Sequence, residues 1–377
     1  MDALSATPPI AESDVLVVGA GIVGLAHASA ALARGLTVTI IDRDSRAVGA
    51  SVRNFGHACI TAQSGELLDL ALVAREKWLE HSANAGFFAV QSGAVAIARS
   101  TTELAVLDEL AASREAGQVV MLSREQAIGE LRAGADPSIR GGARLRDDLR
   151  VDPREAVGSL AAWLAAQPGV TFLWNTSYLG GGGGIAETSR GRIRAERTIV
   201  CVGHDLDYLF PKLAAARGVE RCGLQMMRVL APSGLTLGPA ILTGTSMLRY
   251  PAFAETEAAK SLAGETPAEL LGIGANVMFT QRPDGTLIVG DSHRYDATID
   301  PFQAEETSAI LLAEIARILG VPELRVIERW QGVYASSAQQ PFLVEEPVPG
   351  ITVATVTSGV GMTISLGLAE RTLDALT

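Results

Sequence analysis

Cysteine and lysine are both scarce in this chain, with three of each in 377 residues. Cys59, Cys201 and Cys222 are odd in number and show no Cys-x-x-Cys spacing. They indicate neither a disulfide framework nor a zinc site, so no metal is expected, and a reducing cytoplasm fits them. Basic runs are missing too. With a formal net charge of -11 the chain offers no cationic face to nucleic acid. Gly, His or Arg breaks every apolar stretch before it reaches the roughly 20 residues that span a bilayer, so no membrane partner is expected. Met1 to Ser13 holds acids and no base, unlike a signal peptide.

What is present suits a globular enzyme: 48% hydrophobic and 19% charged residues, in a chain long enough for two domains with separate cores. Asp14 to Val18 reads as a strand buried on both faces of a parallel sheet. Gly19 to Gly24 turns the chain, Ile22 to Arg34 reads as a helix with Gly35 at its C-terminal cap, and Thr37 to Ile41 as a second strand ending on Asp42. Helical spacing dominates Leu67 to Ala133, with a strand-like break at Gly93 to Ala98. Asp152-Pro153 starts a helix that runs to about Gln167. The glycines Gly180 to Gly184 predict a hairpin tip. Thr198 to Val202 is a further strand. Gly223 to Ala231, Asn276 to Thr280 and Thr286 to Gly290 predict a second sheet, with Pro283-Asp284-Gly285 as a hairpin turn. Ile351 to Thr357, the turn Gly359-Val360-Gly361 and a helix from Met362 repeat the opening pattern, which implies a nucleotide domain assembled from discontinuous pieces.

In Gly19-Ala20-Gly21-Ile22-Val23-Gly24 the first glycine permits the tight turn, the second lets backbone amides approach a pyrophosphate, and the third lets helix pack on strand. The phosphates would meet the positive end of the helix. Asp42, about 20 residues on, is placed to accept from a ribose hydroxyl, which disfavours a 2′-phosphate. This turn alone does not separate FAD from NAD. The loop Gly49-Ala50-Ser51-Val52-Arg53-Asn54-Phe55-Gly56 and the late turn Ser358-Gly359-Val360-Gly361-Met362-Thr363 favour FAD, because a glycine turn opening a helix can aim amides at a flavin ring edge.

Over nearly its whole length the chain resembles the D-amino-acid oxidase and glycine oxidase superfamily of FAD enzymes. The matching pieces are the N-terminal turn, Ser51 to Gly56, Val151-Asp152-Pro153, Cys201-Val202-Gly203-His204, Gly290-Asp291-Ser292, Trp330-Gln331-Gly332 and the final glycine turn. A narrower likeness, to the subgroup associated with aminophosphonate breakdown, rests on Ser51 to Gly56, Arg221 to Arg228, Gly290-Asp291-Ser292-His293, Gly332-Val333-Tyr334-Ala335 and Gly361-Met362-Thr363. The resemblance implies an α/β fold, with a Rossmann-like FAD domain over 1–90, 145–215 and 330–377. An α+β substrate domain with a mixed or antiparallel sheet would occupy 91–144 and 216–329. The cofactor residues it implies are Gly19, Gly21, Ile22, Val23, Gly24, Asp42 and Arg43 at the first turn, then Ala50, Ser51, Arg53, Asn54 and Gly56. Tyr178, Val202, Gly203 and His204 follow, with Gly332, Gly359, Val360, Gly361, Met362 and Thr363. The implied reaction is oxidation of 2-aminoethylphosphonate or its N-methyl form to an aldehyde, with oxygen as acceptor.

The chain departs from the glycine-oxidase pattern where that pattern has Trp-x-Gly-Leu-Arg. Here Trp330-Gln331-Gly332-Val333-Tyr334 lacks the arginine that clamps an α-carboxylate, and Gly359 stands near a second arginine position. An anionic substrate would need another cation. Arg53, His57, Arg228, Arg249 and His293 are candidate anchors, beside the hydroxyls of Ser292, Tyr250 and Tyr334; the candidates for direct chemistry are His57, His293, Tyr334 and Arg53. None of the lysines, Lys77, Lys212 and Lys260, sits in a motif. Three other readings stay open: a glycine, D-amino-acid or sarcosine oxidase, an NAD-linked dehydrogenase that shares the N-terminal turn, and a flavin-bearing sensor or binding protein without amine turnover.

Overall fold

The apolar run after Asp14 forms the end of a strand, Ala11–Val18, at the centre of an eight-stranded sheet in a computed structural model that describes residues 8–132 and 134–376. The opening residues 1–7, part of the stretch read as lacking a signal peptide, lie outside the described residues, as does Ala133 at the end of the helical stretch. Five strands run parallel in the order Val170–Leu173, Val38–Ile41, Ala11–Val18, Gly191–Val200 and Ile351–Val356. Val15 faces Val38 on one side and Arg197 on the other. The antiparallel strand Phe342–Val348 flanks Ile351–Val356, and the hairpin of Tyr178–Gly182 and Ile185–Thr188 turns at the predicted glycines.

Four helices, Ile22–Ala33, Gly65–Ala85, Pro153–Ala165 and Gly361–Leu376, cover one face of this sheet in a single apolar core. Leu206, Ala214 and the inner side of the hairpin cover the other. Asp152 caps the third of these helices by accepting from the Arg154 amide at 3.0 Å, with Pro153 in the first turn, as the sequence predicts.

A nine-stranded second sheet runs Arg294–Asp296, Glu220–Val229, Leu287–Gly290, Met278–Gln281, Ala240–Leu242, Ala94–Ala98, Gly141–Leu145 and Val119–Leu122, with Val326–Ser336 paired along Glu220–Val229. The stretch read as helical from Leu67 therefore contributes two strands to this sheet, not one short break. Val119–Leu122 is half exposed and only four residues long, too short to show a strand period. The strand expected over Thr198 to Val202 begins earlier, at Gly191, and ends at Val200. Its first half alternates exposed and buried residues because it borders the exposed hairpin, so it lacks the continuous apolar signature. An isolated bridge between Ser336 and Ser358 ties the second sheet to the turn before the C-terminal helix.

The helices Gly65–Ala85 and Gly361–Leu376 approach so closely that a Cβ on Gly367 would lie 2.1 Å from the Leu70 carbonyl oxygen. Gly367→Ala is expected to destabilise the protein by about 2–4 kcal/mol through forced separation of these helices. Thermal denaturation of the variant beside the wild type measures it.

Candidate active site

The first turn works because two glycines leave no room for a side chain. Gly19 has φ of +103°, and a Cβ on Gly24 would stand 1.8 Å from the Gly19 carbonyl oxygen. Helix Ile22–Ala33 therefore starts directly above the end of strand Ala11–Val18. Gly21, its N-cap, offers no side-chain acceptor, and no acid lies in the first turn. The Ile22 amide donates to Ser51 Oγ at 2.9 Å; the amides that follow leave this helix end ready for an anion. Asp42, at the end of Val38–Ile41, accepts from the Ala20 amide at 2.7 Å and from the Asp44 amide at 2.9 Å. Burial pushes its carboxyl above the ordinary range, against the pull of those two amides.

A cavity of about 410 Å³ extends from this turn to the second sheet. Gly19, Gly21, Ile22, Val23, Asp42 and Arg43 line one end, followed by Ala50, Ser51, Arg53 and Asn54. Tyr178, Val202, Gly203, His204, Gly332, Gly359, Val360, Gly361 and Met362 complete the predicted cofactor residues found in its wall. Gly24, Gly56 and Thr363 stand behind the wall. Gly56 makes room for the Val151 carbonyl, 1.9 Å from where its Cβ would be, and Thr363 Oγ1 accepts from the Cys59 amide at 3.1 Å.

The loop over 50–56 is held by Asn54, whose side chain donates to Ala50 O and Ser51 O and accepts from the Gly56 amide. Arg53 lines the cavity, donating to the Gln331 carbonyl at 3.1 Å. His57 does not reach the cavity. Its Nε2–H donates to Asp148 at 2.8 Å in the buried interior, and Cys59 lies beside the pair. His57, Cys59 and Asp148 bring three possible ligand atoms within 4.8 Å, a grouping their sequence spacing does not reveal. Asp148 is already satisfied by His57 and the Thr61 amide, and burial plus the Asp148 charge keeps the Cys59 thiol protonated. The trio lies in the interior away from the cavity, with His57 Nδ1 left without a partner. Arg228, another candidate anchor, is spent on Glu328 and Asp284 outside the cavity.

The opposite end of the cavity is built by the second sheet. Tyr334, Cys222 and Tyr295 lie side by side on three adjacent strands. Arg249 reaches over them, donating to Tyr334 Oη at 2.6 Å and to Tyr295 Oη at 3.2 Å. Burial opposes its charge, but both phenols and the Asp291 carboxyl together raise its pKa above the ordinary arginine range. Among the described residues no carboxylate forms an ion pair with it. His293 also faces the cavity; its Nδ1–H donates to the Gly274 carbonyl at 2.9 Å, and burial followed by the Arg249 charge keeps the ring neutral. Asp291, quoted in a motif at the sequence level but given no role, lines the same end, 4% exposed. Burial pushes its pKa up to about 7, although Arg249 pulls the other way.

The missing arginine near the final turn has a steric counterpart. Gly359 has φ of +76°, and its Cβ would fall 3.0 Å from the Tyr334 ring and hydroxyl. Tyr334 thus fills the space a side chain at 359 would need.

The wall fits a flavin dinucleotide. It offers the open helix end at Ile22, a second at Gly361 with no acid in its first turn, and Asp42 for a ribose. Three cavity-lining side chains also hold buried polar atoms with no partner: Tyr178 Oη, Thr355 Oγ1 and Asp291 Oδ1.

This combination of a dinucleotide turn, two helix ends and a second-sheet pocket defines a two-domain flavoenzyme. Residues 14–375 match the family model described as DAO, FAD dependent oxidoreductase, and the chain belongs to that family; its cofactor is FAD. It is similar to glycine oxidase from Geobacillus kaustophilus, with 20% identity over 97% of this chain and 94% of that one and a TM-score of 0.77. L-proline dehydrogenase from P. horikoshii is similar at 18% identity, covering 98% and 94%, with a TM-score of 0.79. L-alpha-glycerophosphate oxidase from Mycoplasma pneumoniae with FAD bound shares 19% identity over 97% and 95%, with a TM-score of 0.73. No curated protein matches the chain at a significant level. No helix among the described residues is long and apolar enough to cross a membrane.

Asp42→Ala removes the carboxylate that joins the strand end to the Ala20 and Asp44 amides at the first turn. FAD affinity is expected to fall by roughly tenfold to a hundredfold, the loss of one or two hydrogen bonds to a charged group. The fluorescence of FAD released on dilution measures it.

Proposed function

We propose that this enzyme oxidises a small primary or N-methyl amine bearing an anionic group, with 2-aminoethylphosphonate or its N-methyl derivative as substrate. The observation that carries this reading is Arg249: a part-buried guanidinium lining the cavity, bonded to the hydroxyls of Tyr334 and Tyr295 and to no carboxylate among the described residues. A part-buried cation whose direct partners are neutral hydroxyls is better satisfied when an anionic ligand joins them. The position where the family pattern clamps an α-carboxylate is Tyr334, whose hydroxyl instead orients Arg249. The cation has therefore moved from the strand to the segment after Met247, changing where the acidic end of a substrate rests.

When bound, FAD supplies the acceptor for the hydrogen on the carbon next to nitrogen. The protein's own groups hold and orient the amine. Arg249 takes the acidic end, while Tyr334 and neutral His293 shape the space between it and the flavin position. Hydrolysis of the resulting C=N bond gives an aldehyde and ammonia or methylamine. Oxygen is the proposed acceptor for the reduced cofactor. None of the three lysines lines the cavity: Lys77 and Lys260 pair with surface glutamates. Oxygen activation would thus use the helix ends and Arg249 instead. The buried, unpaired state of all three cysteines supports a cytoplasmic location.

Anaerobic bleaching of the flavin separates the substrate classes. The two phosphonate amines are expected to bleach it, with sarcosine, glycine and D-alanine slow or inert. Bleaching by glycine or sarcosine alone points to a carboxylate substrate, and a yellow protein that no amine bleaches points to a binding or sensing role. Arg249→Met should lower kcat/KM for the phosphonate amine by roughly 30- to 900-fold, about 2–4 kcal/mol of transition-state binding, with Arg249→Lys between the two. In air, one peroxide per amine consumed is expected; bleaching without peroxide would make the enzyme a dehydrogenase.

A further inference from the structure

We propose that Asp291 receives the ammonium end of the substrate and takes its proton, so that Arg249 and Asp291 form a two-point site for a zwitterionic amine. This rests on the reading of Arg249 as the anchor for the acidic end.

Asp291 sits just past strand Leu287–Gly290, and its backbone is fixed in both directions. Its amide donates to the Asn276 carbonyl at 2.9 Å and its carbonyl accepts from the Asn276 amide at 2.8 Å. Asn276 is itself held, its Oδ1 accepting from Ser246 Oγ at 2.8 Å. The side chain is in a different position. It lies in the cavity wall, 4% exposed, and Oδ1 has no hydrogen-bond partner. The nearest ring nitrogen, His293 Nδ1, is 3.8 Å away and already donates to Gly274. A buried carboxyl that stabilised the fold would be satisfied within it. The Asn276 side chain and the Asp291 amide lie within hydrogen-bonding reach of this carboxyl, while Oδ1, enclosed in the cavity wall, keeps an acceptor without a partner.

The groups facing Asp291 decide how it titrates. Arg249 favours the carboxylate, while burial favours the acid. Tyr250, beside Arg249, and Cys222, on the strand across the pocket, are both kept protonated, first by their own burial. His293 is neutral and, held well below its ordinary pKa, a poor base. Asp291 is thus the group at this end of the cavity whose proton affinity lies near neutrality. Occupation of Arg249 by an acidic group weakens its pull on Asp291 and raises the basicity of the carboxylate. The substrate's own acidic end therefore prepares the acceptor for its ammonium. In the step itself one N–H bond of the ammonium breaks and one O–H bond forms on Asp291, leaving the nitrogen lone pair free to assist loss of hydrogen from the adjacent carbon.

The test uses FAD-loaded enzyme, the pH dependence of kcat/KM for 2-aminoethylphosphonate, and equilibrium binding of ethylphosphonate, which has the acidic end and no amine. Wild type is expected to show activity rising with pH through a limb near neutrality. Asp291→Asn should lose that limb and roughly a hundredfold or more in kcat/KM at neutral pH. It should recover part of its rate only as pH approaches the amine's own pKa, yet bind ethylphosphonate within about threefold of wild type. An Asp291→Asn enzyme that keeps the limb with kcat/KM within tenfold overturns the proposal, and so does one whose ethylphosphonate affinity falls as far as its activity. Should that variant fail to fold, wild type decides alone. A limb fixed across amines of different basicity supports the proposal, and one that moves with the amine's pKa overturns it. Failure of the anchor reading shows separately, as ethylphosphonate binding indifferent to Arg249→Met; the limb is then read with whichever amine bleaches the flavin.

Discussion

The contact between Gly24 and the Gly19 carbonyl is the constraint on which the cofactor end of the molecule depends. Without it the helix Ile22–Ala33 could not begin directly over the end of the first strand, and its open amides would not face the cavity. Asp42, Ser51 and the Val202–Gly203 segment are placed by the same crossing, because each lies at the carboxyl end of a strand or in the loop leaving one. The ligand position at strand ends follows from the parallel order of the sheet.

The other end of the cavity is governed by charge. The second sheet sets Tyr334, Cys222 and Tyr295 in a row, and Arg249 lies across that row, its direct side-chain partners among the described residues being two hydroxyls. Burial around it keeps His293 neutral and pushes the Asp291 carboxyl up to about 7. A part-buried cation beside a buried carboxyl, each incompletely satisfied, makes a pocket suited to a molecule with both charges. Tyr334 and Gly359 change together relative to the glycine-oxidase pattern: the tyrosine ring occupies the room that a side chain at 359 would require.

Much of this was legible in the sequence because the cofactor end is written in local text. The glycine spacing from Gly19 to Gly24, the acid at Asp42 and the late turn at Gly359 each depend on neighbours a few residues away, and Gly19, Gly21, Asp42 and Gly359 line one cavity. The substrate end is written in long-range pairings. Arg249 faces Tyr334 and Tyr295, 85 and 46 residues distant, and nothing near Arg249 in the chain distinguishes it from a surface arginine. His57 misled for the same reason: it stands in motif-like text, but its partner Asp148 is 91 residues away and draws it inward. Asp291 was visible as part of a Gly-Asp-Ser motif, yet the lack of a partner for its oxygen is a property of the fold alone.

The most direct test is a crystal structure of the FAD-loaded protein exposed anaerobically to 2-aminoethylphosphonate. The account predicts the phosphonate on Arg249, the nitrogen on Asp291 and the carbon between them facing the flavin. A phosphonate held by Arg53 or on the surface, with Arg249 still bonded only to Tyr334 and Tyr295, would contradict it.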